Sequence, residues 1–190
     1  MKKILDEVWN GKELPLYAER IKNKAYPVIG EGGYDAKIMF IGEAPGRNEA
    51  KTGRPFCGTA GKILDLLLQS VGIKREAVYI TNIVKDRPPQ NRDPLPEEIE
   101  AYAPFLVRQI GIIKPPVIAT LGRYSLNYVL EMFNLWEEMA PISKIHGRVF
   151  TANAPHGPIQ IVALYHPAAA VYNRALLETL KKDFAVLKDI

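Results

Sequence analysis

The residues best suited to chemistry follow directly after three apolar runs of the chain. Glu43, Glu49 and the aromatic ring of Phe56 follow the first run. Asn82 ends the second run, and His166 ends the last one. Parallel strands of α/β proteins end at one edge of the sheet, and ligands bind outside that edge. The three loops are therefore predicted to meet in one site that combines carboxylates, an amide, an imidazole and an aromatic ring.

The first loop, Gly42-Glu43-Ala44-Pro45-Gly46, invites a phosphate-binding interpretation because glycines and a following helix N-terminus favour anions. A Walker-type loop would need glycine at position 56 and serine or threonine at position 63, where this chain has Phe56 and Ile63. Glu43 and Glu49 would also repel a polyphosphate. The loop therefore favours a flat, neutral ligand over a phosphate chain.

Asn82 and His166 each allow two interpretations when taken alone. The Asn82 amide offers a donor and an acceptor to the edge of a base, but asparagine is also a common turn residue. His166 precedes Pro167, a residue suited to open a helix, so its imidazole would face the same sheet edge; a structural histidine fits equally well. Three basic residues after Asn82 suit contacts with DNA phosphates, although a solvated basic loop is equally ordinary: Lys85, Arg87 and Arg92.

The elements that must position these residues alternate between apolar runs and helical patterns. Strands are predicted at 37–41, 78–81, 116–121 and 160–165, and the segments between them carry apolar residues at helical spacing. This alternation predicts a three-layer α/β/α sandwich with a central, mostly parallel four-stranded sheet. A chain of 190 residues suits one domain, residues 1–190. The least regular segments are 11–33, 86–96 and 143–158, which are rich in proline, glycine or charge.

Composition narrows the class of protein only modestly. The net charge of +4 fits a nucleic-acid partner without requiring one. No apolar run is long enough to span a bilayer, and the N-terminus lacks the apolar stretch of a secretion signal, so a cytoplasmic protein is expected. Cys57 is the one cysteine, which excludes an intrachain disulfide and a thiolate metal site within a single chain.

The chain resembles the uracil-DNA glycosylase superfamily, most closely its type 4 members, in a set of motifs that occur in order. The motifs are Gly42-Glu-Ala-Pro-Gly46, Gly53-Arg-Pro-Phe56, Thr81-Asn82, Arg87-Pro-Pro89 with Asn91-Arg92, and His166-Pro-Ala-Ala169. The resemblance implies that a uracil leaves the DNA stack and enters a pocket. Phe56 would stack on it, and Asn82 would pair with its N3–H and O4 edge. His166 would donate a hydrogen bond to O2 as the glycosidic bond breaks.

The resemblance leaves the water-positioning group open. Ala44 stands where the related family 1 enzymes carry an aspartate that positions water. Type 4 enzymes share a small residue there, so Glu43, Glu49 or the backbone must hold the water. The hypothesis is that Glu49 closes the pocket near uracil C5 or the water, and that Glu43 orders the loop or the sugar contacts.

A segment after His166, Ala168 to Arg174, resembles the family's minor-groove loop. Tyr172, Asn173 or Arg174 would then fill the hole left by the flipped nucleotide. A plain helix start explains the same spacing equally well.

Type 4 enzymes resemble one another in a four-cysteine iron-sulfur site, and this chain departs from that pattern. The matching positions hold Gly11, Leu14, Asp86 and Tyr102, none of which can be a thiolate ligand. An iron-sulfur cluster is therefore predicted to be absent, with no other cofactor and no metal, and Tyr102 is expected to fill core volume.

Together these expectations describe a monomeric, cofactor-free DNA-repair glycosylase that hydrolyses the N-glycosidic bond of uracil in DNA and leaves an abasic site. A glycosylase of the same fold for another deaminated base, such as hypoxanthine, stays open. So does a noncatalytic DNA-damage-binding module that kept the fold and the basic face. A small-molecule α/β enzyme would instead have no affinity for DNA at low salt.

Overall fold

A six-stranded sheet runs through the computed structural model, which describes residues 1–188. Residues 189 and 190 of the predicted domain lie outside the described residues. The strand order is β1-β3-β2-β4-β6-β5. In chain order the strands are Glu31–Gly32 (β1), Ile38–Gly42 (β2), Tyr79–Asn82 (β3), Val117–Leu121 (β4), Val149–Ala154 (β5) and Gly157–Leu164 (β6).

The four predicted strands form the parallel centre, β3-β2-β4-β6. The prediction of four strands is wrong in number, because β1 and β5 add an antiparallel strand at each edge. β1 has only two residues, too few for a pattern. β5 lies in a segment predicted to be irregular; it is an edge strand in which only Phe150 and Ala152 are buried, so its apolar signal is weak.

Nine α-helices occur within residues 1–188. They are Lys2–Asn10 (α1), Tyr17–Lys22 (α2), Arg47–Thr52 (α3), Thr59–Ser70 (α4), Pro96–Ile113 (α5), Arg123–Met132 (α6), Ile142–Ile145 (α7), Ala168–Tyr172 (α8) and Leu176–Ala185 (α9). α5 begins at Pro96, a residue suited to the first turn of a helix, and α9 buries Leu180 and Phe184. None of these helices combines the length and apolar character needed to cross a membrane.

The sheet separates two apolar cores because neighbouring residues of a strand point to opposite faces. In β2, Met39 and Ile41 pack toward α5, α6 and α7, while Ile38 and Phe40 pack toward α4, α8 and α9. These are the two helical layers of the predicted α/β/α sandwich. A third cluster joins α1 to the segment after β3 and to α5 through Val8, Val84 and Tyr102. The N-terminal segment is thereby packed against the loop that follows Asn82.

Candidate active site

A cavity of about 340 Å³ opens at the carboxyl edge of β2, β3 and β6. Its volume falls in the range of small-molecule sites. The structure brings together most of the residues predicted for the site. The lining includes Glu43, Ala44, Glu49, Phe56, Asn82, Arg92 and His166.

Phe56 forms an apolar wall of this cavity and is itself buried, at 6% exposed. Its backbone has a φ of +47°, in the left-handed region, and its carbonyl packs closely against Gly61. A Cβ added at Gly61 would lie 1.8 Å from the Phe56 carbonyl oxygen. Gly42 has a similar role: a Cβ there would lie 2.8 Å from Phe56 Cζ and 2.3 Å from Asn82 Oδ1. Gly61 thus allows α4 to pack against the Phe56 main chain, and Gly42 leaves room for both the Phe56 ring and the Asn82 amide.

Asn82 ends β3 with its side chain almost completely buried, at 1% exposed. Its Oδ1 atom accepts no hydrogen bond from any residue that the structure describes. A buried polar atom without a partner is costly, and native proteins rarely retain one without reason. Because Asn82 lines the cavity, a ligand N–H bonded to Oδ1 would remove that cost.

His166 follows β6 and faces the Phe56 ring, with 5.6 Å between the two ring centroids. Its Nδ1 accepts a hydrogen bond from the main-chain N–H of Ala168, at 3.1 Å. Burial lowers the pKa of His166 to about 4, although nearby Glu49 opposes the shift. At neutral pH the ring is therefore neutral, and its proton lies on Nε2.

Glu49 on α3 is fixed by the turn that carries Phe56. Its Oε1 atom accepts hydrogen bonds from the main-chain N–H groups of Cys57, at 3.0 Å, and Gly58, at 2.9 Å. Gly58 is the residue before α4, so the carboxylate lies at a helix N-terminus, where negative charge is favoured. Glu49 therefore couples the first loop to the Phe56 turn through Oε1. Its other oxygen, Oε2, lies beside Gly46, where an added Cβ would be 2.7 Å from it.

Glu43 is half-buried in the cavity lining. Burial raises its pKa to about 7, and the charge of Asp93 acts in the same direction while Arg123 opposes it. Asp93 is held by Arg123, at 3.0 Å, and by the Tyr124 hydroxyl. Near neutral pH the Glu43 carboxyl group is thus divided between its acid and its ionised form.

Lys85 does not reach the surface. Its side chain is buried, with no exposed area, so the expectation that it contacts a DNA phosphate is wrong for this structure. The lysine lies three residues after Asn82, in the buried stretch 81–86 that leads from β3 toward α5. The presence of a lysine in the sequence does not by itself indicate whether its side chain is buried or reaches the surface.

The other predicted DNA contacts lie on the rim of the cavity or beside it. Arg87 is half-buried and donates through Nε to Asn91 Oδ1, at 2.6 Å. Arg92 lines the cavity but pairs with Glu98 near the start of α5, at 2.6 Å. Tyr172, Asn173 and Arg174 are exposed at and after the end of α8, outside the cavity lining.

The four positions matched to cysteine ligands hold a packed cluster. Asp86 pairs with Arg20 at 2.7 Å and accepts from the Tyr102 hydroxyl at 2.6 Å, and all three side chains are buried. A Cβ at Gly11 would lie 2.8 Å from Leu14 Cδ1. An ion pair, an apolar side chain and a glycine without room for a side chain do not fit an iron-sulfur cluster. Within residues 1–188, no group of three or more histidine, cysteine, aspartate or glutamate side chains is placed to hold a metal ion.

Fold and cavity together define an α/β protein that can bind a flat polar ring at the carboxyl edge of a parallel sheet. Compared with known protein families, residues 29–188 match the uracil DNA glycosylase superfamily. The chain is 45% identical to a type-4 uracil-DNA glycosylase of Saccharolobus solfataricus, over 98% of this chain and 84% of the relative.

The type-4 uracil-DNA glycosylase of Archaeoglobus fulgidus is 44% identical, over 89% of this chain and 84% of that protein. A type-5 uracil-DNA glycosylase of Thermus thermophilus is 33% identical, over 75% of this chain and 69% of the relative. The chain therefore belongs to the uracil DNA glycosylase superfamily, in which it is most similar to the type-4 enzymes.

Proposed function

We propose that this protein is a hydrolase that removes uracil from DNA by cleaving its N-glycosidic bond. The observation that carries the proposal is the buried, unpartnered Oδ1 of Asn82 in a cavity that also presents Phe56 and His166. Residues of this kind suit a flat ring whose edge combines a donor with acceptors. The similarity to type-4 uracil-DNA glycosylases over most of the chain supports the same substrate.

Recognition of uracil in this proposal depends on Asn82 and Phe56. Asn82 Oδ1 accepts from uracil N3–H while the amide nitrogen donates to O4. Cytosine has an acceptor at N3 and a donor at C4, so it meets this amide with the opposite pattern and leaves buried polar atoms unpaired. Phe56 stacks on the extruded ring and offsets part of the unstacking cost, which is a few kcal/mol.

His166 acts on the leaving group in this proposal. As the bond between C1′ and N1 breaks, its electron pair moves into the uracil ring and negative charge grows on O2. The neutral imidazole donates its Nε2–H to that oxygen. A preoriented donor of this kind contributes about 3–4 kcal/mol to lowering the barrier.

The carboxylates act on the sugar. The C1′ centre becomes oxocarbenium-like, so negative charge nearby stabilises it. Water then attacks C1′ and passes its proton to the carboxylate that positions it. We assign Glu43 to this electrostatic and water-positioning role because its half-buried carboxyl lies in the cavity lining and titrates near neutral pH. Glu49 lies near the edge of the uracil ring in this proposal, as a fixed charge that holds the Phe56 turn. Ala44 leaves room in the lining for the water.

DNA binding is assigned to the rim of the cavity. Arg87 and Arg92 contact phosphates beside the flipped nucleotide, and Tyr172 enters the duplex, with Asn173 and Arg174 beside it. We further propose that the protein acts as a single domain and a monomer, in the cytoplasm and without a cofactor. Visible absorption that follows protein-bound iron would contradict the last point.

One panel of labelled oligonucleotides tests the proposed function. It carries uracil opposite guanine, uracil opposite adenine, single-stranded uracil, hypoxanthine and thymine, and alkaline cleavage reports abasic sites. The expected result is cleavage at uracil by the wild-type protein, prepared from a host without uracil-DNA glycosylase, and its loss in Asn82→Ala. Asn153→Ala, an exposed asparagine on β5, is the matched control and retains activity.

Other outcomes of the same panel contradict the proposal in distinct ways. Cleavage at hypoxanthine alone would identify a glycosylase with another substrate. Binding without any cleavage would identify a damage-binding module, and no binding at low salt would point away from DNA altogether.

A further inference from the structure

Lys85 carries a buried side-chain amine that the proposed reaction leaves without a role. Its Nζ atom lies among three oxygen acceptors: the main-chain carbonyl of Asn82 at 2.5 Å, Gln109 Oε1 at 2.5 Å and Thr81 Oγ1 at 2.9 Å. The protonated amine has three N–H donors, one for each of these acceptors, and the neutral amine has two. Burial lowers the pKa of Lys85 well below its usual range.

The acceptors themselves belong to a wider buried network that fixes their direction. Thr81 Oγ1 donates to the Ile29 carbonyl at 2.7 Å, and Gln109 Nε2 donates to the same oxygen at 2.8 Å. Each side chain thereby turns an oxygen lone pair toward Lys85. The lysine thus joins the end of β3 to α5 and to the segment before β1.

The edge of the sheet explains why a side chain is needed here. β1 pairs with β3 only at Tyr79 and Ile80, so no strand residue pairs with Asn82 on that side. On the opposite side β2 pairs with β3 as far as Gly42 and Asn82. The Lys85 amine supplies the donor for the Asn82 carbonyl, where β1 no longer supplies a strand partner.

We propose that Lys85 is a positioning residue for base recognition, which holds the Asn82 main chain so that the Asn82 amide faces the cavity in one orientation. The inference rests on the proposed function. Its physical basis is that a fixed peptide group restricts the side chain attached to the same residue, and an amide must be oriented before it can discriminate a base edge. Lys85 itself stays behind the strand and touches no substrate.

A double-mutant cycle with Asn82 tests the inference. Lys85→Met removes the donors at similar length and is expected to lower the single-turnover rate of uracil release, and the affinity for free uracil as an inhibitor, by about tenfold. Affinity for DNA that carries an abasic-site analogue is expected to stay within twofold, since no base enters the pocket. In the Asn82→Ala background the same lysine change is expected to alter the rate less than twofold.

The controls separate positioning from folding. Lys182→Met, an exposed lysine of α9, is expected to match the wild type. Lys85→Gln keeps a neutral donor and is expected to fall between lysine and methionine, about threefold below the wild type. If Lys85→Met does not fold, the lysine-to-glutamine step replaces it in the cycle with Asn82→Ala.

Three results would overturn the inference: unchanged uracil release in a folded Lys85 variant, an equal loss in the Asn82→Ala background, or an equal loss of abasic-DNA affinity. A wild-type protein that releases no uracil would instead contradict the proposed function. The two failures are therefore distinguishable.

Discussion

The main-chain N–H of Ala168 donates to Nδ1 of His166 at 3.1 Å, and this one contact sets the tautomer of the imidazole. With Nδ1 occupied as an acceptor, the neutral ring carries its proton on Nε2. The proline that follows His166 begins the turn in which Ala168 opens α8, so the loop after β6 itself selects the donor atom. The short motif His166-Pro167-Ala168 thus contains both the proposed catalytic donor and the group that orients it.

His166→Leu is expected to lower the single-turnover rate of uracil release by about 10²–10³-fold, as expected for the loss of one donor to a developing oxyanion. The measurement uses excess enzyme over a uracil-containing duplex. His156→Leu serves as control because His156 contacts the Pro115 carbonyl, outside the cavity lining. A His166 variant within threefold of the wild type would remove the imidazole from the mechanism.

The rate is expected to depend on pH through Glu43 and not through His166. Glu43, with its pKa near 7, is mostly protonated below that pH and ionised above it. Since the ionised form stabilises positive charge at C1′, the rate should rise with pH through about 7 and then level. His166, whose pKa is about 4, stays neutral across pH 5–9 and adds no step. Glu43→Gln should flatten the profile measured in single turnover; a midpoint that persists near 7 in this variant would assign it to another group.

The raised pKa of Glu43 also predicts how this residue affects the stability of the folded protein. The folded protein binds this proton more tightly than the unfolded chain, because the pKa rises from 4.5 to about 7 on folding. The contribution of the Glu43 proton to the free energy of unfolding is complete below pH 4.5 and is lost as the pH rises through 7. Urea unfolding of the wild type and Glu43→Gln at pH 5 and 8 measures this difference.

The fold and the candidate site could be predicted from the sequence only in part. Apolar runs and strand-end polar residues are local signals, so the parallel centre of the sheet and the meeting of Phe56, Asn82 and His166 follow from them. The burial of Lys85 depends on Gln109, 24 residues away, and on the early end of β1. Contacts of this kind depend on tertiary packing and leave no periodic pattern in a single sequence.

Two glycines are a second example of residues whose role depends on tertiary packing. Gly42 and Gly61 look like parts of a flexible loop, but each is required by a close approach to Phe56. The sequence indicates a glycine-rich turn, while the reason for each glycine is known only once the neighbouring side chains are placed. Substitution by alanine at Gly61 would bring Cβ within 1.8 Å of the Phe56 carbonyl oxygen.

Two substitutions of Glu49 are expected to separate its effect on stability from its electrostatic effect on the reaction. Glu49→Ala leaves the N–H groups of Cys57 and Gly58 without their acceptor, so the free energy of unfolding should fall by about 1–2 kcal/mol. Glu49→Gln keeps an acceptor oxygen and should retain most of that stability. Thermal unfolding measures the first effect and single-turnover uracil release the second. A glutamine variant that is stable and fully active would limit Glu49 to holding the Phe56 turn.

Asp86 is expected to be among the most sensitive positions for stability. Asp86→Ala leaves the buried Arg20 guanidinium without its carboxylate, which should cost about 3–5 kcal/mol of unfolding free energy. Tyr102→Phe removes one hydrogen bond to Asp86 and should cost about 1–2 kcal/mol. Glu138→Ala, which breaks an exposed pair with Arg148, should cost less than about 1 kcal/mol. Urea denaturation compares the three; similar losses at Asp86 and Glu138 would show that the N-terminal segment does not depend on the buried pair.

Tyr172 is the residue whose substitution should distinguish double-stranded from single-stranded substrates. Its side chain is 90% exposed at the end of α8, six residues after His166, so it contributes little to folding but stands close to the pocket in the chain. A ring that fills the gap left by an extruded nucleotide replaces lost stacking, which is worth about 1–3 kcal/mol per base.

Tyr172→Ala should therefore slow uracil release from a duplex by about tenfold or more and leave release from single-stranded DNA within twofold, because a single strand has no gap to fill. Tyr34→Ala, at an exposed tyrosine outside the cavity lining, controls for the loss of a surface ring. Equal losses on both substrates would assign Tyr172 to general DNA binding, and no loss on either would make the end of α8 a plain helix terminus.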